Sequence, residues 1–207
     1  MQANLVFDFG GVLFRWQPHE IVAAVLPELA PTRAAADQLV GDIFQGFGGD
    51  WGEFDRGTLA VDALAQRIAR RVPAVSVAQA RALIDAVPAA LTPIAGTVAL
   101  LQRLHARGHA LYFLSNMPEP YAHHLEAAHH FLRLFRRGVF SARVKMIKPE
   151  PAIFAHAAEA FGIAPALSLF IDDMAPNIAA ARVAGWQALH FESPPQCEAE
   201  LARRDLL

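Results

Sequence analysis

Cysteine is almost absent from this 207-residue chain. Cys197 stands alone, so an internal disulfide is excluded, and with no CxxC pair or thiol partner beside it the residue reads as structural. Net charge is scarce as well: 18 Lys and Arg against 20 Asp and Glu leave −2 at neutral pH. No broad basic field is available to grip nucleic acid or an anionic membrane, so small-molecule partners are expected instead. Arg133, Arg136 and Arg137 form only a local basic patch, read as a solvated face. No apolar run approaches the roughly 20 residues that span a bilayer. The N-terminus reaches Asp8 without the basic-then-apolar pattern of a secretion signal. A cytoplasmic protein without nucleic-acid or membrane partners is the expectation, and the sequence does not choose between monomer and homodimer.

What is present is apolar content, 54% of residues, enough for elements buried on both faces. Three short apolar runs end in polar residues: 4–8, closing on Asp8; 109–114, followed by Ser115 and Asn116; and 167–171, followed by Asp172 and Asp173. Each reads as a buried strand delivering side chains into a loop. Helical spacing fills residues 94–107, 151–161 and 176–184, closing at Gly108, Gly162 and Gly185. The alternation predicts an α/β fold with a mostly parallel sheet flanked by helices.

Residues 15–91 break this rhythm. Leu39, Ile43 and Phe44 fall at helical spacing, as do Leu59, Leu64 and Ile68, and Ser76 with Gln79 fits a capping box. A helical bundle inserted at 15–91 is predicted, within a core made of 1–14 and 92–207. The glycine- and aromatic-rich stretch 46–57 is expected to be its irregular joint.

A carboxylate at a strand end can attack phosphorus when a cation and a metal ion neutralise the approaching phosphate. Asp8 has that position, although alone it reads equally well as a cap on the Gly10-Gly11 turn. Four stretches in one order are more specific: Phe7-Asp-Phe-Gly-Gly-Val-Leu13, Leu114-Ser-Asn116, Lys148-Pro149 and Phe170-Ile-Asp-Asp-Met174. In these the chain resembles the haloacid dehalogenase superfamily over nearly its whole length. The resemblance is nearest to the branch holding glucose-1-phosphate phosphatases and the N-terminal phosphatase domain of soluble epoxide hydrolases, and Asp55-Arg56-Gly57 is similar to an acidic-Arg-Gly element of that branch.

The resemblance implies a Rossmann-like core, a helical C1 cap and a Mg²⁺-dependent phosphatase acting through an aspartyl-phosphate on a small phosphorylated metabolite, with a sugar phosphate as the expected substrate. It implies Asp8 as nucleophile and metal ligand, Lys148 as the fixed positive charge, and Ser115, Asn116, Lys148 and Gly11 as the phosphate-binding set. Asp173, Asp172 and the Gly10 carbonyl would complete the metal site. Asn177 is read either as steadying the acids or as a surface residue.

Gly10 departs from the family pattern, where most phosphatases carry a second Asp that protonates the leaving oxygen. A substitute acid from the cap is one answer. A metal-independent dehalogenase and a catalytically weak phosphate-binding protein are the alternatives. His123, His124, His129 and His130 are not assigned to a metal, because neighbouring helical residues point about 100° apart. Trp16, Phe47, Trp51 and Phe54 read as core rather than pocket.

Overall fold

The computed structural model describes residues 3–207, so the first two residues of the expected core range lie outside the described residues. The chain opens with β1 (Asn4–Phe7), then runs through α1 (Pro18–Val25), α2 (Arg33–Phe44), a 3₁₀ turn at Gln45–Phe47, α3 (Gly49–Asp55), α4 (Val61–Arg71) and α5 (Val77–Ala90). It continues with α6 (Ala95–Ala106), β2 (Ala110–Ser115), α7 (Glu119–Ala128), β3 (Arg137–Phe140), α8 (Ser141–Val144) and α9 (Pro151–Phe161). The last elements are β4 (Ser168–Asp172), α10 (Ala175–Val183), β5 (Gln187–His190) and α11 (Pro194–Arg203). No helix among the described residues is long and apolar enough to cross a membrane.

All strand pairs are parallel, in the order β3-β2-β1-β4-β5. Period-two alternation sorts the strand residues into two layers. Leu5, Phe7, Leu111, Phe113, Leu169 and Ile171 face one cluster, whereas Val6, Tyr112, Leu114 and Phe170 face the other. Burial on both faces explains why β1, β2 and β4 read as continuous apolar runs. Their register sets Phe7 beside both Phe113 and Ile171, so Asp8, Ser115 and Asp172 emerge together at the carboxyl edge. That edge is where ligands bind in open parallel sheets.

The sequence reading missed β3 and β5. Each is a four-residue edge strand with only two buried residues, so neither carries the apolar run that betrays a central strand. The expected capping box is present at α5, where Ser76 Oγ accepts from the Gln79 amide at 3.2 Å and the Gln79 side chain accepts in return at 2.9 Å. The stretch 46–57 is corrected: most of it is α3, which follows left-handed residues at Gln45, Gly46 and Phe47. Packing of Trp51 and Phe54 outweighs the low helix propensity of the neighbouring glycines.

Candidate active site

Lys148 lies at the centre of the carboxyl edge, buried, with Nζ 2.8 Å from Asp8 and 2.6 Å from Asp172. Burial alone would lower its affinity for a proton, but the adjacent Asp172 and Asp8 carboxylates raise it, so the ammonium is secure. Asp8 Oδ1 accepts from this ammonium and, at 2.7 Å, from the Phe9 amide. Burial pushes the Asp8 carboxyl up to about 8; Lys148 pulls it down, while Asp172 and Asp173 push it up.

Asp172 is fully buried and saturated with protein donors. Oδ1 accepts from the Met174 amide at 2.8 Å and from Asn177 Nδ2 at 2.9 Å, while Oδ2 accepts from Lys148 and from Asn177 Nδ2. The open reading of Asn177 is thereby decided: it steadies Asp172. Asp173 faces the cavity instead, and burial together with Asp172 raises its carboxyl to about 6. Asp8, Asp172 and Asp173 each offer an oxygen within 4.8 Å of the others. Two buried acids and a half-buried third crowd one lysine, and hard oxygen donors at this spacing suit Mg²⁺.

Gly11 is required by this crowding. Its φ is +73°, and a Cβ there would stand 2.2 Å from Asp173 Oδ2. Its amide, however, donates to the Phe14 carbonyl at 2.8 Å, so the expected phosphate contact at Gly11 has no free donor. Asn116 reaches the cavity with both ends of its amide already bonded to the Lys148 backbone. Ser115 is buried at the end of β2, its hydroxyl 3.4 Å from the Asn116 carbonyl.

Above this floor is a cavity of about 210 Å³. Asp8, Gly10, Lys148 and Asp173 form its base, and Trp16, Phe47, Trp51, Val87, Leu91, Met117, Tyr121 and Met174 line its sides. The reading of the aromatics as core is corrected: Phe54 is core, but Trp16, Phe47 and Trp51 pack on one another through Phe44 and also wall the cavity. Sequence periodicity cannot separate an aromatic that faces a core from one that faces a void inside it. Of the four histidines left unassigned, His123 pairs with Glu119 at 2.9 Å and His129 packs 5.0 Å from the Phe14 ring.

The acidic-Arg-Gly element joins α3 to the loop carrying Lys148. The Asp55 carbonyl accepts from buried Ser141 Oγ. Arg56 makes a two-pronged pair with Glu150 and donates to the Lys145 carbonyl. The Gly57 carbonyl accepts from Lys145 Nζ at 2.7 Å. Gly57 has φ +75°, and any Cβ would meet the Ala142 carbonyl oxygen at 2.8 Å. The Asp55 side chain is left buried on the cavity wall, where burial and the neighbouring Asp8 push its carboxyl up to about 8 against the pull of Lys148. Asp55 was visible in the motif but not assigned to the site, because only the folded chain brings the end of α3 to the cavity wall near Asp8.

Residues 3–185 match the family described as haloacid dehalogenase-like hydrolase. A sesquiterpene phosphatase of Aspergillus oryzae, astK, is 29% identical over 189 residues, covering 90% of this chain and 88% of that protein. The enzyme bt-2542 of Bacteroides thetaiotaomicron, solved with magnesium and inorganic phosphate, superposes with a TM-score of 0.71 at 23% identity, covering 93% of this chain and 95% of that one. The L-2-haloacid dehalogenase of Xanthobacter autotrophicus superposes at 0.66 with 18% identity, covering 100% and 85%. At these identities the two structures speak for the fold alone, which phosphate- and carbon-directed enzymes share.

Proposed function

The chain belongs to the haloacid dehalogenase-like hydrolases, and from that premise we propose that it is a Mg²⁺-dependent phosphatase for a small phosphate ester with an apolar body. The observation that carries this reading is the group of buried Asp8, Lys148 and Asp172 with half-buried Asp173 under an apolar vault. In this reading Asp8, Asp173 and the Gly10 carbonyl hold the metal, and Asp172 fixes Lys148. Mg²⁺, when bound, supplies the positive charge that favours ionised Asp8 and offsets the charge of the phosphate.

With Oδ1 engaged by Lys148 and Phe9, Asp8 is held to present its other oxygen to phosphorus, forming an aspartyl-phosphate that water then hydrolyses. Lys148 Nζ faces the transferring group, where preorganised charge counts most. Ser115 is the remaining hydroxyl proposed to reach a phosphoryl oxygen. Helices α1 to α5 serve as the cap, excluding water from the first step and choosing the leaving group.

A sugar phosphate is the substrate that the sequence resemblance implied, and the cavity supports a different body. Each hydroxyl pressed unpaired against Trp51, Leu91 or Met174 would cost about 1–3 kcal/mol. A hydrocarbon gains roughly 25 cal/mol for each Å² it buries there. The sesquiterpene phosphatase relative agrees with that preference in kind. Dehalogenation at carbon would leave the repulsion among the three acids without a use, so phosphoryl transfer is preferred.

The test is phosphate release from apolar alkyl phosphates and from sugar phosphates, with and without Mg²⁺, in wild type and Asp8→Asn. Expected are turnover that needs Mg²⁺, its loss in Asp8→Asn, and a higher kcat/KM for the apolar esters. Mg²⁺ binding without turnover of any ester would replace the enzyme reading by that of a phosphate-binding protein.

A further inference from the structure

Expulsion of an alkoxide from phosphorus needs a proton at the leaving oxygen, a contribution of roughly 10²–10⁴-fold. The loop after Asp8 supplies none, since residues 9–12 are Phe, Gly, Gly and Val. Sterics do not explain the glycine at position 10, where a Cβ would meet nothing nearer than Trp16 Cβ at 4.0 Å.

The proton carriers on the cavity wall are few. Tyr121 donates its hydroxyl to the Ile84 carbonyl at 2.7 Å. Lys148 is held between two carboxylates, and Asp173 belongs to the acid cluster. No histidine among the described residues lines the cavity. Asp55 remains: 7% exposed, lining the cavity, with no hydrogen bond to its carboxyl among the described residues. Its backbone is pinned through Ser141, and its two successors are tied to Glu150 and Lys145. A carboxyl buried among apolar side chains favours the neutral acid, which is the form a donor needs.

We propose that Asp55, reaching in from α3, is the proton donor to the leaving-group oxygen, the task that position 10 has no side chain to perform. The inference rests on the phosphatase reading above. As Asp8 attacks phosphorus, the bond from phosphorus to the ester oxygen breaks, that oxygen takes the Asp55 proton, and the alcohol departs. Water then attacks the phosphorus of the aspartyl-phosphate, gives its proton to the Asp55 carboxylate, and releases phosphate with both acids restored.

The experiment compares single-turnover cleavage of benzyl phosphate, whose alkoxide needs a proton, with the burst from 4-nitrophenyl phosphate, whose phenolate leaves without one. Wild type, Asp55→Asn and Asp55→Glu are measured in Mg²⁺. Asp55→Asn is expected to lose on the order of 10²-fold or more on benzyl phosphate while keeping the nitrophenolate burst within a few-fold, which also reports that it is folded. Asp55→Glu should retain more benzyl phosphate cleavage than the isosteric Asn. A structural role predicts the reverse ranking, because the longer Glu disturbs packing and the Asn does not. Equal losses on both esters, or Asn outperforming Glu, overturn the inference and leave the phosphatase standing. A wild type that cleaves neither ester overturns both.

Discussion

Asn116 holds Lys148 by its backbone: Nδ2 donates to the Lys148 carbonyl at 2.9 Å and Oδ1 accepts from the Lys148 amide at 2.8 Å. The side chain at the end of β2 thus sets the position of a lysine that lies 32 residues away in sequence and stands between Asp8 and Asp172. Asn116→Ala is therefore expected to act on kcat rather than on KM. A shift of about 1 Å at the reacting centre costs on the order of 10²-fold, so kcat should fall by about that much while substrate affinity stays within a few-fold. Steady-state kinetics with an alkyl phosphate check this, and a KM effect larger than the kcat effect would instead make Asn116 a direct substrate contact.

Arg56 and Glu150 are joined by both guanidinium nitrogens, yet each is partly exposed. Such a pair contributes no more than about 1 kcal/mol to global stability. Its geometric effect is larger, because Glu150 stands two residues from Lys148 and Arg56 follows Asp55. Arg56→Lys and Glu150→Gln should each leave the melting temperature within a few degrees and lower kcat/KM by about tenfold. The double variant should resemble either single one, as for residues acting as a unit. Additive losses in that cycle would separate the two residues.

The metal-free protein should become less stable as pH rises from about 4 to about 8. Asp8 and Asp55 are pushed to about 8 and Asp173 to about 6, from an ordinary value of 3.8. Across that window the folded state holds protons that the unfolded chain has released, so the folded state loses ground with each unit of pH. On the proposed reading, Mg²⁺ would take the place of the protons on Asp8 and Asp173, while Asp55 keeps its own. Thermal melts in chelator should be higher near pH 5 than near pH 8, and Mg²⁺ should raise the melting temperature more at the higher pH. A Mg²⁺ effect independent of pH would detach the metal from the acid cluster.

Phe47 sits on the cavity wall with φ +64°, a conformation unfavourable for a bulky side chain. Phe47→Gly relieves the backbone, which offsets part of the lost ring contacts with Trp16 and Phe44 at 5.9 and 6.2 Å. The expected result is a raised KM for apolar esters with kcat and melting temperature little changed. A variant whose KM is unaffected would mean that substrates do not reach this wall.

The strand ends were legible because β1, β2 and β4 are buried on both faces and stop at polar residues. Asp8, Lys148, Asp172 and Asp173 do converge, as the order of the four stretches implied. What escaped detection depends on contacts between segments distant in sequence. The bonded state of the Asn116 amide, the direction in which Trp16 and Trp51 look, and the aim of Asp55 are set by partners up to about 90 residues away, as for Ser141 and Asp55. Edge strands such as β3 lack the apolar run, since only Val139 and Phe140 of its four residues are buried.

The anchors at Asp55, Arg56 and Gly57 all find their sockets within residues 141–150. For anyone exchanging helices α1 to α5 between relatives, this tripeptide is the connector and that short stretch is the receptacle, so the two must be transplanted as a matched pair. An alanine in place of Gly57 would push this connector out of its receptacle, because the Ala142 backbone already occupies the space.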